Sequence, residues 1–325
     1  MRLGVVGCGR ITERGYIPAA LTAEGVAIAA FADPNAERLE LCRDLWRKAG
    51  AEANGYADLA SLLAAEPVDL LVIAAPLEHH LALAEEAAAA GVRSLVEKPP
   101  APDLPAAQRL ATLDPEPLLA FNRRFLQGTE LRDSIPAEGW LELDLELRFR
   151  RDAWGALEVR DEALLDAGIH LIDLVSYLSN ADPIAVRRAQ IEPERAELEI
   201  ELSRGRARIS CATDRSHRET ITVRDRSGKV LTRSVWGGIK SRLAGVLGRP
   251  DPLAVSLQRQ LEVIRAMGMP LREPPHLLLP QGHPHRPLAT AADGVTTMAV
   301  VEAARRSAEL EGAEVTVAPT TEVAA

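Results

Sequence analysis

The feature that most restricts the fold is a series of five short apolar runs in the first 121 residues, separated by Ala- and Leu-rich stretches with helical spacing. Leu3 to Val6, Val26 to Phe31, Leu70 to Ala74, Ser94 to Glu97 and Leu118 to Phe121 read as strands. Strands that are apolar throughout and alternate with helices are buried on both faces, which is the signature of repeated β-α units and a parallel sheet. Residues 1–121 are therefore predicted to form an α/β domain. Pro99, Pro100, Pro102 and Pro105 fit neither a helix interior nor a central strand, so a rigid loop leaves the sheet after the fourth run.

Beyond Asn122 the period changes. LELDLELRFR at 141–150 alternates strictly, with Leu141, Leu143, Leu145, Leu147 and Phe149 on one face, and AELEIEL at 196–202 and RARISC at 206–211 do the same. This predicts an antiparallel sheet with one buried face. The other face carries Glu142, Asp144, Glu146 and Arg148 with Glu197, Glu199, Glu201, Arg206 and Arg208, either as a solvated surface of cross-strand pairs or as a wet subunit interface. A chain of 325 residues, 47% of them hydrophobic, divides more naturally into two domains than one, here 1–121 and 122–317. An amphipathic helix is expected near 291–310 and a flexible tail at 318–325. His283 and His285 stand two apart in a Pro-flanked loop with no third ligand suggested, so no metal site is predicted.

The first run leads into GVVGCGRIT. Gly7 and Gly9 form a Gly-x-Gly turn between a strand and a helix, where missing side chains let the backbone approach a pyrophosphate and the helix start offers free N–H groups. The third glycine of a dinucleotide fingerprint is replaced by Thr12, which predicts looser packing of the helix on its strand. Asp33 ends the next strand about 20 residues on, where a carboxylate accepts the adenosine ribose hydroxyls. Its charge favours NAD over NADP, while the neighbouring Arg38 keeps NADP open; Asp33 or Asn35 could alternatively open the following helix.

The second informative stretch is DEALLDAGIHLIDLVSYL at 161–178. At about 100° per residue, Asp166, His170, Asp173 and Tyr177 form one narrow stripe with apolar residues on both sides. Burying such groups costs several kcal/mol unless they are paired or line a cleft. An imidazole beside carboxylates can accept a proton near neutral pH, so a catalytic cleft is expected, with a structural Asp–His pair as the alternative. Gly168 weakens the helix by about 1 kcal/mol relative to Ala, which suggests that a ligand approaches there.

With these residues in hand, the chain resembles the Gfo/Idh/MocA oxidoreductases, which include glucose-fructose oxidoreductase and inositol dehydrogenase. The resemblance runs through GVVGCGRI, Asp33, APLEHH at 75–80, VEKPP at 96–100, FNRRF at 121–125, DAGIHLID at 166–173 and the helix DGVTTMAVVEAARRSAE. It implies a Rossmann domain followed by an α+β domain with a large, mainly antiparallel open sheet, and hydride transfer at a carbinol or keto carbon of a sugar, cyclitol or related polyol. Carried over, Lys98 hydrogen-bonds the reacting oxygen, His170 is the general base or acid, and Asp166 orients His170 or the substrate. The resemblance places the cofactor against Gly7, Cys8, Gly9, Arg10, Ile11, Asp33, Ala75, Pro76, His80, Glu97 and Lys98. Arg123 matches the substrate-contacting arginine, with Arg124 its companion, and Trp154 stands where it can either stack on a sugar ring or pack in a core or loop. Ala75 replaces the usual Thr, so one hydrogen bond to cofactor is expected to be missing. Arg123, Arg124, Arg150 and Arg151 leave room for a nucleotide-linked sugar. The resemblance also implies burial of the open sheet in a homo-oligomer, against which the charged outer face speaks.

A formal charge of −9 excludes the electrostatic footprint of a nucleic-acid or anionic-membrane binder. Cys8, Cys42 and Cys211 are scattered and odd in number, and no signal-peptide core or membrane-length apolar run is present, so a cytoplasmic protein is expected. The competing function is a non-catalytic dinucleotide-binding sensor or regulator of the same fold. Redox-neutral chemistry on a bound cofactor, or reduction of an unsaturated or imino bond, is a further option.

Overall fold

The computed structural model describes residues 1–154, 162–237, 251–268 and 288–318. Its strands are β1 (Arg2–Val6), β2 (Ala27–Ala32), β3 (Asn54–Tyr56), β4 (Leu70–Ile73), β5 (Ser94–Val96), β6 (Leu118–Leu119) and β7 (Leu141–Arg150). There follow β8 (Pro183–Glu192), β9 (Arg195–Leu202), β10 (Gly205–Ala212), β11 (Asp214–Asp225), β12 (Val230–Gly237), β13 (Ala289–Thr290) and β14 (Val315–Thr316). They form two sheets, in the orders β13-β6-β5-β4-β1-β2-β3 and β12-β11-β7-β10-β9-β8-β14. Two compact units carry them: Met1–Leu126 with Asp251–Gly294, and Gln127–Pro250 with Val295–Ala325.

In the first unit β1 to β6 are parallel and the two-residue β13 closes the edge antiparallel to β6. This is the predicted Rossmann arrangement, with β3 and β13 added at its edges. Neither was predicted, because Asn54–Tyr56 (NGY) and Ala289–Thr290 (AT) do not stand out as apolar runs. Leu3, Val5, Ile28, Phe31, Leu70, Val72 and Leu95 fill the core from the sheet. The helix Pro252–Ala266 contributes Leu257, Leu261 and Ile264 to the same core. That helix corrects the single boundary drawn at 121/122: its apolar face finds the helix Ile17–Thr22 rather than the second sheet. Gly15 permits the approach, since a Cβ there would lie 2.8 Å from Leu257 Cδ1.

In the second unit the buried face of the sheet is built from Leu141, Leu143, Leu145 and Leu147 with Ala207, Ile209 and Cys211, Ile221 and Val223, and Leu198, Ile200 and Leu202. The predicted alternation holds from Leu141 to Leu147, while Phe149 at the strand end is only half-buried, and β8, β11 and β12 extend the sheet beyond the strands that were expected. The sheet is mainly antiparallel, but its central pair, β7 and β10, runs parallel. Against it lies the helix Ile169–Ser179, entered through a π-turn at Leu164–Gly168. Gly168 serves close packing rather than a ligand: a Cβ there would meet Leu164 Cδ1 at 3.0 Å and Cys211 Sγ at 3.2 Å.

The outer face is a net of paired charges. Arg206 bonds Glu142 at 2.7 Å, Arg208 and Arg188 bond Glu199 at 3.1 and 3.0 Å, Arg218 lies 3.4 Å from Glu146, and Arg224 pairs with Asp144. Such exposed pairs are worth roughly 0–1 kcal/mol each.

Candidate active site

The carboxyl edge of the first sheet is where open α/β sheets bind ligands, and the residues predicted for the cofactor gather there. β1 ends at Val6, and Gly7 turns with φ +94°, its Cα so close to β4 that a Cβ would stand 2.5 Å from the carbonyl carbon of Ala74. Gly9 faces open space, with nothing within 4 Å of its would-be Cβ, and the chain becomes helical immediately after it. Thr12 does not loosen this turn. Its buried hydroxyl donates to Gly7 O at 2.5 Å and takes up the room that the glycine would have left.

Asp33, just past β2, accepts the backbone N–H of Cys8 through Oδ2 at 2.7 Å and that of Asn35 through Oδ1 at 2.8 Å. The carboxylate is thereby held against the glycine turn, while Asn35 caps the next helix by accepting from the N–H groups of Glu37 and Arg38. Arg38 is tied down as well. Its Nε donates to Cys8 O at 2.9 Å and its Nη2 lies 3.3 Å from Glu13, which also holds Arg10 at 3.1 Å. An anion bound at adenosine O2′ would meet Asp33 and a guanidinium already engaged. A turn that admits backbone approach, a helix start beside it and an acid at the end of β2 fit NAD.

Glu97 and Lys98 follow β5 at the same edge. Glu97 is buried, accepts the hydroxyl of Tyr16 at 2.7 Å through Oε1 and the backbone N–H of Lys98 at 3.1 Å through Oε2. Burial pushes its carboxyl above the usual glutamate range, against the opposing pull of Tyr16 and Lys98. Tyr16 was not predicted; a lone tyrosine in an Ala-rich helix carries no signal for a partner 81 residues away. Lys98 is half-buried and departs from this fixed main chain.

Pro76 is exposed and Ala75 half-buried on the loop after β4. His80 is buried, with Nδ1 2.9 Å from Pro99 O and Nε2 2.9 Å from Ala75 O. Both ring nitrogens thus face the protein's own backbone, so the imidazole clips the β4 loop to the Glu-Lys-Pro loop instead of reaching outward. Burial holds its pKa down, and a neutral ring donates to only one of the two carbonyls at a time. In FNRRF, Arg123 is half-buried, whereas Arg124 is buried with its guanidinium 3.4 Å from Leu288 O and 3.5 Å from Asp293. Arg124 is a brace between the loop after β6 and the segment that opens the helix Ala291–Glu309.

In the second unit the polar stripe is real. Asp166, His170, Asp173 and Tyr177 are all buried, as the flanking apolar residues predicted. The π-turn places Asp166 within it and His170 on the first turn of the α-helix. Arg151, at the end of β7, forms an ion pair with Asp166, a partnership the sequence did not disclose. Arg150 instead pairs with Asp152 at the surface. Burial, reinforced by the charge of Asp166, pushes the Cys211 thiol up to about 12. The Trp154 side chain and His283 and His285 lie outside the described residues. Among the described residues no cluster of metal ligands occurs, and no helix is long and apolar enough to cross a membrane.

A parallel sheet with this turn, this acid and this lysine defines a dinucleotide-binding Rossmann protein with a second, mainly antiparallel unit. Residues 1–116 match the family model described as Oxidoreductase family, NAD-binding Rossmann fold. The chain thus carries, over residues 1–116, the NAD-binding Rossmann fold of that oxidoreductase family. It is 28% identical over 335 residues to the rhizopine catabolism protein MocA of Rhizobium meliloti, covering 93% of each chain. It is 27% identical over 194 residues to inositol 2-dehydrogenase of Corynebacterium glutamicum, covering 57% of this chain and 56% of that protein. Its fold matches myo-inositol 2-dehydrogenase of Lactobacillus plantarum with a TM-score of 0.73 at 16% identity, over 98% of this chain and 99% of the other.

Proposed function

We propose that the protein is an NAD-dependent dehydrogenase that acts on a CH–OH group of a sugar or cyclitol, with Lys98 and His170 handling the hydroxyl proton. The observation that carries the reading is the anchoring of the Glu-Lys-Pro loop at the carboxyl edge of the sheet whose first turn holds Gly7 and Gly9. The relation to an inositol 2-dehydrogenase supports the substrate class. Bound NAD supplies a hydride acceptor for the carbinol carbon. The Lys98 ammonium stabilises negative charge developing on the substrate oxygen, and His170 takes the hydroxyl proton during oxidation and returns it during reduction. Asp166, kept in place by Arg151, orients His170 or a substrate hydroxyl. Arg123 contacts the substrate. NAD is preferred to NADP because Asp33 repels a 2′-phosphate and Arg38 is held by Cys8 O and Glu13.

The test is turnover of a panel of inositols, aldoses and their keto forms with NAD(H) and NADP(H), alongside Lys98→Ala and His170→Ala. Both variants are expected to lose at least about 100-fold in kcat, the scale of acid–base groups, while still binding NADH. Turnover indifferent to both substitutions overturns the assignment. Cofactor binding without turnover of any substrate favours a sensor of the same fold.

A further inference from the structure

The glycine turn and the Glu-Lys-Pro loop are read separately in the sequence, yet a buried contact joins them. Tyr16 ends the π-turn Thr12–Tyr16 that follows the cofactor turn, and it is fully buried. Its hydroxyl reaches Glu97 Oε1 at 2.7 Å, and Glu97 Oε2 takes the main-chain N–H of Lys98 at 3.1 Å. A carboxylate taken out of water needs donors for its oxygens, and a partly satisfied one is costly. Here one oxygen has a phenol and the other the amide of the residue that follows. The carboxylate is a two-ended link, rigid only while both ends are made.

We propose that Tyr16 is a positioning residue for Lys98, acting through Glu97: its hydroxyl fixes the carboxylate, the carboxylate fixes the Lys98 main chain, and the ammonium is thereby aimed. The proposal rests on the role given above to Lys98. Misplacement of a reacting group by about 1 Å can cost on the order of 100-fold, so a single hydroxyl remote from the chemistry is enough to matter. Tyr16 remains a donor at all working pH values, since burial and the adjacent carboxylate push its own ionisation well up. The ionisable groups that face Glu97 are Tyr16 and Lys98. Loss of the phenol leaves the carboxylate with fewer donors and makes it easier to protonate.

The experiment is a double-mutant cycle on the full chain with Tyr16→Phe and Lys98→Ala, with Glu97→Gln as a second probe of the link. Tyr16→Phe keeps the ring and is expected to lower kcat about 10-fold or more, to leave the Kd for NADH within about 2-fold, and to move the acid limb of the kcat profile to higher pH. In the Lys98→Ala background the same substitution is expected to have no further effect on kcat, because coupled residues are non-additive. Glu97→Gln is expected to lower kcat as well, since its amide keeps only one acceptor oxygen, removes the charge, and obliges the Tyr16 hydroxyl to turn round and accept. An equal loss in both backgrounds, or a lower melting temperature with unchanged kcat and pH profile, overturns the positioning role alone. Full turnover by Lys98→Ala overturns the catalytic role of Lys98 and this inference with it.

Discussion

Gly7 and Gly9 stand two residues apart in one turn, but Gly7 is crowded and Gly9 faces open space, so alanine at each separates packing from the proposed cofactor contact. At Gly7 the residue would have φ +94° and its Cβ would lie 2.5 Å from both the carbonyl carbon and oxygen of Ala74 and 2.6 Å from the amide nitrogen of Ala75. The left-handed conformation costs a side-chain-bearing residue about 1–2 kcal/mol. The backbone contact adds an overpacking cost of about 1–3 kcal/mol, because β4 cannot rotate away as a flexible side chain can. A loss of about 3 kcal/mol lowers the melting temperature of a chain of this length by roughly 4 °C. At Gly9 the methyl group enters open space, so stability should change by less than about 0.5 kcal/mol. That same space is where a pyrophosphate must come against the backbone, and Gly9→Ala should weaken NADH binding at least about tenfold, or about 1.4 kcal/mol. Thermal unfolding and NADH fluorescence titration of the two variants need no knowledge of the substrate. A Gly9→Ala protein that binds NADH like the wild type, or melts as low as Gly7→Ala, refutes the assignment of this turn to the cofactor.

Cys8, Cys42 and Cys211 are all buried, and burial pushes the Cys211 thiol up to about 12, so no thiol of the native protein should react with an aromatic disulfide within minutes at pH 8; all three should react in denaturant, and fast native labelling would contradict the packing around the glycine turn or β10. Glu97 has a raised folded pKa, so its contribution to stability is complete below the unfolded carboxyl value and disappears as pH rises through the raised one. The stability of Glu97→Gln relative to wild type should therefore improve as pH climbs above the ordinary glutamate range; a difference that stays flat with pH in urea unfolding would refute the raised pKa.

The first sheet was legible because its strands are uniformly apolar and its loops carry glycine, proline and acid at the places where a dinucleotide demands them. The buried stripe of Asp166 and His170 was legible because two apolar flanks leave no wet side for it. What escaped was what depends on distant parts of the chain. Nothing in PLAVSLQRQLEVIRA tells which sheet its apolar face will meet, and the helix returned to the first unit. Tyr16, Arg151 and Arg124 are ordinary residues in sequence; each acquires its role from one buried partner far away or from a carboxylate on another element. His80 was read as a cofactor residue from its position after a strand, whereas its ring nitrogens are directed to Ala75 O and Pro99 O. Gly168 looked like room for a ligand because sequence reveals a missing side chain but not what fills the gap.

The charges on the outer face of the second sheet have a consequence for assembly of the sheet itself. β7 presents Glu142, Asp144 and Glu146, β9 presents Glu197, Glu199 and Glu201, and β10 sits between them with Arg206 and Arg208 in register with both. Were β7 to zip directly onto β9, acid would stand opposite acid along the ladder, which is destabilising. The arginines therefore act as a spacer code: they contribute less by the bonds they make than by telling two acidic strands, distant in the chain, that they must never be neighbours.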